Sequence, residues 1–238
     1  MFDKFCLFLA AVHSALISFL SVPFFLFFPK VGQKFQQMFG WGWIWLMGIK
    51  VTVHGQENLP RVGGAILAPN HESMFDIPLL CSLGHPLCWL SKEEVGKLPF
   101  VGWAMKAMGC YFVKRNRSGH DINVMKEVEE GITRGACVVI FPEGTRTRTG
   151  ALLPFKKGAF KTAQNTGFPL IPIAISGTYQ IAPPGTWPTR GHLVTVRIGL
   201  PLFFSREDSL ESIQDKYREN LIKLLSMDRG SAYNGSHS

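Results

Sequence analysis

From Phe5 to Phe28 the chain carries no charged residue, a run of 24 positions broken only by His13, Ser14, Ser18, Ser21 and Pro23. A helix of that length reaches about 36 Å, more than the roughly 30 Å hydrocarbon core of a bilayer. Pro23 is expected to kink or end the helix, which leaves Phe5–Val22 at about 27 Å, marginal for a full span. A second apolar stretch, Met38–Met47, is too short to cross alone and carries Trp41, Trp43 and Trp45. Indole rings prefer the headgroup level. Two arrangements follow: one spanning helix with an interfacial helix, or a two-helix hairpin lodged in one leaflet. A cleavable signal peptide is disfavoured, because the apolar run is too long and no A-x-A site follows it.

From about Ile49 to Leu200 the pattern changes. Short β-branched apolar runs predict strands at Val51–Val53, Ala65–Ala68, Leu87–Leu90, Tyr111–Val113, Val138–Phe141, Ile171–Ile175 and Leu193–Ile198. Helical periods lie between them. Ile122, Met125, Val128 and Ile132 share one face of Asp121–Thr133, and Lys157–Gln164 reads as a shorter helix before the Gly167–Phe168–Pro169 break. Leu210, Ile213, Tyr217, Leu221 and Leu224 define a final amphipathic helix, followed by a small polar tail. Such alternation predicts an α/β fold, a mixed or parallel sheet flanked by helices. The expected organisation is a hydrophobic membrane-anchoring helical segment at 1–48, one domain at 49–227, and a disordered tail at 228–238.

Composition narrows the partners. Hydrophobic residues make up 46% of the 238 and charged residues 18%, which excludes a disordered chain. The net charge of +8 favours an anionic partner, with a nucleic acid, an acidic membrane and a phosphorylated substrate all open at this point. Lys30 and Lys34 follow the apolar segment, against Lys4 offset by Asp3 before it, so the remainder is placed on the cytoplasmic side. The five cysteines are odd in number and form no C-x-x-C pair, which argues against a disulfide scaffold or a zinc site and for a reducing compartment.

Four segments carry candidate chemistry. Asn70-His71-Glu72-Ser73-Met74-Phe75-Asp76 follows a strand, with Ser73 placed to cap the next helix. Five residues apart within a helix, His71 and Asp76 would not meet. At a loop-to-helix junction the imidazole can fold back onto the carboxylate, which fixes the tautomer and leaves the other nitrogen as a base. Spacing alone leaves a surface histidine beside an unrelated aspartate as the simpler account. Phe141-Pro142-Glu143-Gly144-Thr145-Arg146-Thr147-Arg148 follows another strand. Gly144 allows close backbone approach, and Arg146 and Arg148 offer bidentate donors for a phosphate. It is not a P-loop, because G-x-x-x-x-G-K-[ST] is absent from the sequence. Gly109 to Arg117 puts Lys114, Arg115 and Arg117 at a strand exit, where a solvated basic edge is the plain alternative. Leu170–Ile175 is an apolar strand whose Pro172 suits an edge or a wall rather than a central ladder.

In this order and spacing, NHESMFD, GCYFVKR, FPEGTRTRTG and LIPIAI resemble the four blocks of the glycerolipid acyltransferases, above all 1-acyl-sn-glycerol-3-phosphate acyltransferases of bacterial type. FPEGTRTRTG through FKKGAF (Phe155–Phe160) is especially specific, and Thr147 stands where serine is commoner. The resemblance covers roughly residues 50 to 205. It implies the glycerolipid acyltransferase fold and an O-acyltransferase that makes phosphatidic acid in phospholipid biosynthesis. The acyl group would pass from a thioester of coenzyme A or acyl-carrier protein to the sn-2 hydroxyl of lysophosphatidate, with no cofactor and no metal. His71 is implied as the base and Asp76 as its partner. Glu143, Gly144, Thr145 and Arg146 are implied in holding the glycerol phosphate, with Arg115 a second phosphate contact and Pro172 lining the acyl or acceptor path. The expected partners are membrane lipid, lysophosphatidate and the thioester donor, without nucleic acid. The expected location is a membrane, at the cytoplasmic face of the inner membrane in a bacterium. Other acceptors of the same family remain open: glycerol-3-phosphate, another lysophospholipid or a lyso-aminolipid. A serine hydrolase or thioesterase would need a G-x-S-x-G elbow, which the sequence lacks. A nucleic-acid binder would need clustered charge and a recognisable motif.

Overall fold

The computed structural model describes residues 2–114 and 120–233. In chain order its elements are α1 (Phe2–Phe27), α2 (Pro29–Leu46), β1 (Lys50–His54), β2 (Ala65–Pro69), α3 (Asp76–Ser82), β3 (Cys88–Lys92), α4 (Glu93–Gly96), α5 (Val101–Ala107), β4 (Tyr111–Val113), α6 (His120–Thr133), β5 (Cys137–Val139), α7 (Gly158–Thr166), β6 (Leu170–Ser176), α8 (Thr178–Ile181), β7 (Leu193–Ile198) and α9 (Leu210–Tyr233). The seven strands form one sheet in the order β1-β7-β6-β2-β5-β3-β4. Every neighbouring pair is parallel except β6 and β7.

Alternate side chains of the strands face opposite layers. Leu67, Val139, Ile171 and Ile173 pack with Trp43, Phe75, Leu79 and Leu80 of the side that carries α2 and α3. Ile66, Val138, Leu170 and Ala174 pack with Val128, Phe160, Tyr217 and Leu221 of α6, α7 and α9. Both faces of β2 and β6 are thereby buried, which is why these strands read as unbroken apolar runs. Tyr217, fully buried, donates its hydroxyl to Ala68 O at 3.1 Å and pins the end of β2 to α9.

At the N-terminus the helix does not end at Pro23, which lies within α1 on its exposed side. The chain turns instead at Phe28 (φ −138°, ψ 67°), directly before Pro29. A residue preceding proline is driven out of the helical region, and proline's fixed φ suits the first position of the next helix. The product is an antiparallel hairpin. Phe24 stacks on Phe35 near the turn (4.8 Å), and Trp43 donates its indole N–H to Ser14 further along (2.6 Å). The hairpin lies against the body. Gly40 has no side chain because a Cβ there would meet Pro78 O at 2.4 Å and Ser82 N at 2.5 Å of α3. On the other side Phe19 meets Phe100, beside α5, edge to face.

The residue distribution on α1 is inverted relative to a soluble helix. Its buried face holds Ala10, Ser14, Ser18 and Ser21, whereas Phe5, Phe8, Val12, Leu16, Phe19 and Leu20 are exposed. Small residues inward and large apolar residues outward are the pattern found on helices packed in lipid.

Three expectations are corrected. Pro172 lies in β6, an interior strand, not at an edge. Ile173 pairs with Ile198 and Leu170 with Leu202, so three steps on β6 oppose four on the neighbouring chain. Pro172 faces this bulge, where Gly199 N donates to its carbonyl at 2.8 Å and its own missing N–H costs the ladder little. β5 ends at Val139, before Phe141, which turns out of the ladder to serve the site. α9 continues to Tyr233, past the expected end at Met227, because each added residue of an existing helix gains a bond. The remainder of the expected tail, 234–238, lies outside the described residues.

Candidate active site

Asn70 follows the last residue of β2 and continues its pairing by side chain. Its Oδ1 accepts Ile175 N at 2.7 Å and its Nδ2 donates to Ile175 O at 2.9 Å, so the amide acts as one more strand residue against β6. The chain then leaves the sheet and His71 enters the cavity. Its Nδ1 lies 2.7 Å from Asp76 Oδ2 at the start of α3. The same oxygen accepts Glu72 N at 2.8 Å and Ser73 N at 3.0 Å, so the carboxylate clasps the loop that carries its partner. Asp76 is fully buried and the His71 side chain is 15% exposed. With Nδ1 engaged, Nε2 is the nitrogen left for a substrate. Ser73 does not cap α3. It donates instead to Ala182 O at 3.1 Å, tying the loop to the segment after α8.

The second block packs under the first. Phe141 lies against the imidazole with ring centroids 3.8 Å apart and planes 21° from parallel. Glu143 is buried, its Oε1 accepting His71 N at 2.7 Å and its Oε2 accepting Leu153 N at 2.8 Å. Burial pushes the Glu143 carboxyl above the usual carboxylate value, against the pull of those two donors. Thr147, also buried, donates its N–H to His71 O at 2.9 Å. Gly144 adopts φ +66°, and a Cβ there would meet the Lys156 side chain at 2.7 Å.

A cavity of about 900 Å³ opens at His71. At that end lie Gly144, Arg146 and Lys156, two cations beside the histidine. Away from it the walls are mostly apolar, with Phe75, Trp89, Met105 and Met108 from the body, Ile17 and Phe25 from α1, and Phe39 and Trp43 from α2; Ser18, Ser21, Gln36, Ser91 and Lys92 also line the cavity. The hairpin is therefore part of the cavity wall. Among the described residues, no group of three or more His, Cys, Asp or Glu side chains is placed to hold a metal ion.

Of the residues singled out by sequence, His71, Gly144 and Arg146 line this cavity, and Asp76 stands directly behind His71. Glu143 is a strut beneath the loop and does not reach the cavity wall. Thr145 is exposed and also outside the lining. Pro172 packs toward Gly199 and Leu224, on the α9 side of the sheet away from the cavity, so it does not line the path expected of it. Arg115 lies outside the described residues. Sequence reading passed over Lys156, Glu72 and Thr178. Lys156 falls within the FKKGAF run, which was a usable signal. Thr178, which donates to Asp76 Oδ1 at 2.5 Å, follows a glycine after β6 and carries no local signal.

The chain is 36% identical over 226 residues, 91% of its length, to the chloroplastic 1-acyl-sn-glycerol-3-phosphate acyltransferase BAT2 of Brassica napus, covering 65% of that protein. It is 32% identical over 76% of its length to a Saccharomyces cerevisiae 1-acyl-sn-glycerol-3-phosphate acyltransferase, covering 61% of it. The chain thus spans less than two thirds of the length of either relative. The crystal structure of the 1-acyl-sn-glycerophosphate (LPA) acyltransferase PlsC from Thermotoga maritima superposes with a TM-score of 0.81 at 27% identity, over 96% of this chain and 95% of that one. The family model described as acyltransferase matches residues 50–176, from β1 through the end of β6 and so across His71, Asp76 and Arg146, and the chain belongs to the acyltransferase family.

Proposed function

We propose that the chain transfers an acyl group from a thioester to the sn-2 hydroxyl of 1-acyl-glycerol-3-phosphate, working at a membrane surface. One observation carries the reading: the His71–Asp76 pair opens on a single cavity that joins a cationic end to a long apolar one. A lysophospholipid acceptor has both parts, a phosphate and an acyl chain. The names of the relatives support the same acceptor.

The geometry supports one course for the reaction. His71 Nε2 takes the acceptor's hydroxyl proton as that oxygen attacks the thioester carbonyl. Asp76 holds the tautomer and stabilises the imidazolium. The tetrahedral species collapses, the C–S bond breaks, and the thiolate leaves with the proton returned by His71. The acceptor oxygen is itself the nucleophile, so no acyl-enzyme is required. Arg146 and Lys156 hold the phosphate beside the base, with Arg115 proposed as a further contact, and the apolar walls take an acyl chain. The donor is a thioester of coenzyme A or of acyl-carrier protein. The inverted face of α1 supports residence on a membrane, and the lysines after the apolar run favour its cytoplasmic face.

The test uses purified full-length chain in lipid with lysophosphatidate, other lyso-acceptors and both thioester donors. The expected result is one free thiol per phosphatidate formed, with lysophosphatidate the fastest acceptor. Thiol release without an acceptor, or faster transfer to an acceptor that lacks phosphate, would overturn the reading.

A further inference from the structure

Asp76 is held asymmetrically. Its Oδ2 takes three donors, from His71, Glu72 and Ser73, whereas its Oδ1 takes Thr178 Oγ1 at 2.5 Å. Thr178 is 1% exposed and stands at the first position of α8. Gly177 precedes it at φ +100°, where a Cβ would meet Leu193 O at 2.3 Å. The chain thus turns sharply out of β6 and delivers one hydroxyl to the far side of the carboxylate.

That hydroxyl has one proton, and the 2.5 Å contact commits it to Asp76. Yet Thr178 Oγ1 also lies 3.4 Å from Glu72 Oε2. Two bare carboxylates about one hydroxyl leave that second contact without a hydrogen, and a protonated Glu72 supplies it. The other partners of Glu72 are Tyr179 N at 3.2 Å and Asn70 Nδ2 at 3.4 Å. The charged groups that act on it are Asp76 from α3 and Glu143 from the loop after β5, both anionic, with the His71 imidazole next to it in the chain. Burial first, then the Asp76 charge, raises the Glu72 carboxyl to about 7, while the Tyr179 N–H opposes the rise.

We propose that Thr178 and Glu72 form a positioning relay behind the His71–Asp76 pair, in which Glu72 O–H donates to Thr178 Oγ1 and Thr178 O–H donates to Asp76 Oδ1. This rests on His71 serving as the base. The relay stops the carboxylate from turning about its last bond and so keeps His71 in one tautomer and orientation. Neither Thr178 nor Glu72 lines the cavity, so their loss acts on turnover and not on substrate affinity.

Full-length chain in lipid vesicles is assayed as wild type, His71→Ala, Thr178→Val, Thr178→Ala, Thr178→Ser, Glu72→Ala and the Glu72→Ala/Thr178→Val double variant, each checked for folding by thermal melting. Thr178→Val is expected to lower kcat roughly ten- to hundredfold, the loss of one charge-assisted hydrogen bond, with acceptor and donor KM within about threefold. Thr178→Ser is expected to restore most of it, and Thr178→Ala, which adds no methyl against the carboxylate, stands in should the valine variant not fold. Glu72→Ala is expected to lower kcat alone but to add nothing in the Thr178→Val background. Wild-type kcat in the valine and alanine variants, or additive losses in the double variant, would overturn the relay. If His71→Ala were as active as wild type, the base assignment itself would fail, whatever Thr178 does.

Discussion

Glu143 binds the backbone of His71 and stands outside the cavity wall: its two oxygens accept the N–H groups of His71 and Leu153 at 2.7 and 2.8 Å, and it is 4% exposed. A carboxylate in the block associated with phosphate would repel the ligand if it faced the cavity. Turned inward, it joins the loop after β5 to the loop after β2. Glu143→Ala leaves two partly buried donors without partners, at about 1–3 kcal/mol each as an upper range. The expected outcome is a melting temperature lowered by several degrees together with a lower kcat. A rise in acceptor KM with an unchanged melting temperature would make Glu143 a ligand instead.

His71→Ala removes the proposed base and is expected to leave the fold, and turnover should fall by about 10²–10⁴-fold. Asp76→Asn should also be severe. An amide in place of Oδ2 would turn an N–H toward three donors, and the oxygen in its place would no longer select the Nδ1–H tautomer as firmly. Single-turnover rates with saturating acceptor separate this loss from binding.

Arg146→Ala should raise the acceptor KM roughly ten- to hundredfold and leave the donor KM nearly unchanged, since one charge-assisted contact to phosphate is lost. Lys156→Ala should act in the same direction. Gly144→Ala should mimic both, because its methyl displaces the lysine stem and the backbone there holds φ +66°. A raised donor KM with an unchanged acceptor KM would reverse the assignment of the two ends of the cavity.

The pH dependence of stability should carry the signature of Glu72. Its folded carboxyl titrates at about 7, above the ordinary 4.5, so folding favours the protonated form. That contribution is complete below about pH 4.5 and is lost as the pH rises through 7, at up to roughly 1.4 kcal/mol per pH unit. Glu72→Gln has no such titration. Denaturant melts between pH 5 and 8 should show the variant gaining on wild type as the pH rises, and parallel curves would rule the shift out.

The outward stripe of α1 should decide membrane retention. Replacing Phe8 and Leu16 by Asp puts charge where the helix is otherwise apolar, without touching its buried Ser14 and Ser18 or the Ser14 contact with Trp43 of α2. Each buried Phe or Leu is worth about 1.5–3 kcal/mol. Wild-type chain should stay with the membrane in alkaline carbonate and the double variant should be released. Release of wild type would show that the stripe is covered by something other than lipid.

The strands were legible because β-branched runs bounded by glycine and proline carry their signal locally. At the N-terminus, however, two prolines are each able to break the helix. Pro23 is absorbed in α1, and Pro29 starts α2 with the turn at the residue before it, a choice made by packing against α3 and α5. His71 and Asp76 could be paired from their junction, because five residues of loop and first turn suffice to close the contact. Thr178 could not. It meets Asp76 only because β6 and β2 run parallel in register, Ala68 beside Pro172, so that their ends deliver both residues to one edge. Pro172 misled for a related reason: whether an interior strand tolerates proline depends on a bulge in the neighbouring chain, 26 residues further on at Ile198.

The β1–β7 ladder bears on how the chain is made. β1 leaves the hairpin at Lys50, yet its neighbour in the sheet is residues 193–198. At about 5–20 residues per second, a gap of roughly 140 residues lasts on the order of 7–30 s on the ribosome. The apolar hairpin therefore emerges, and is expected to reach the bilayer, well before the sheet can close or Thr178 can find Asp76. Nascent chains stalled short of residue 193 should pellet with membranes while their body remains open to protease. The bilayer would then receive the anchor first and serve as the workbench on which the enzyme is completed.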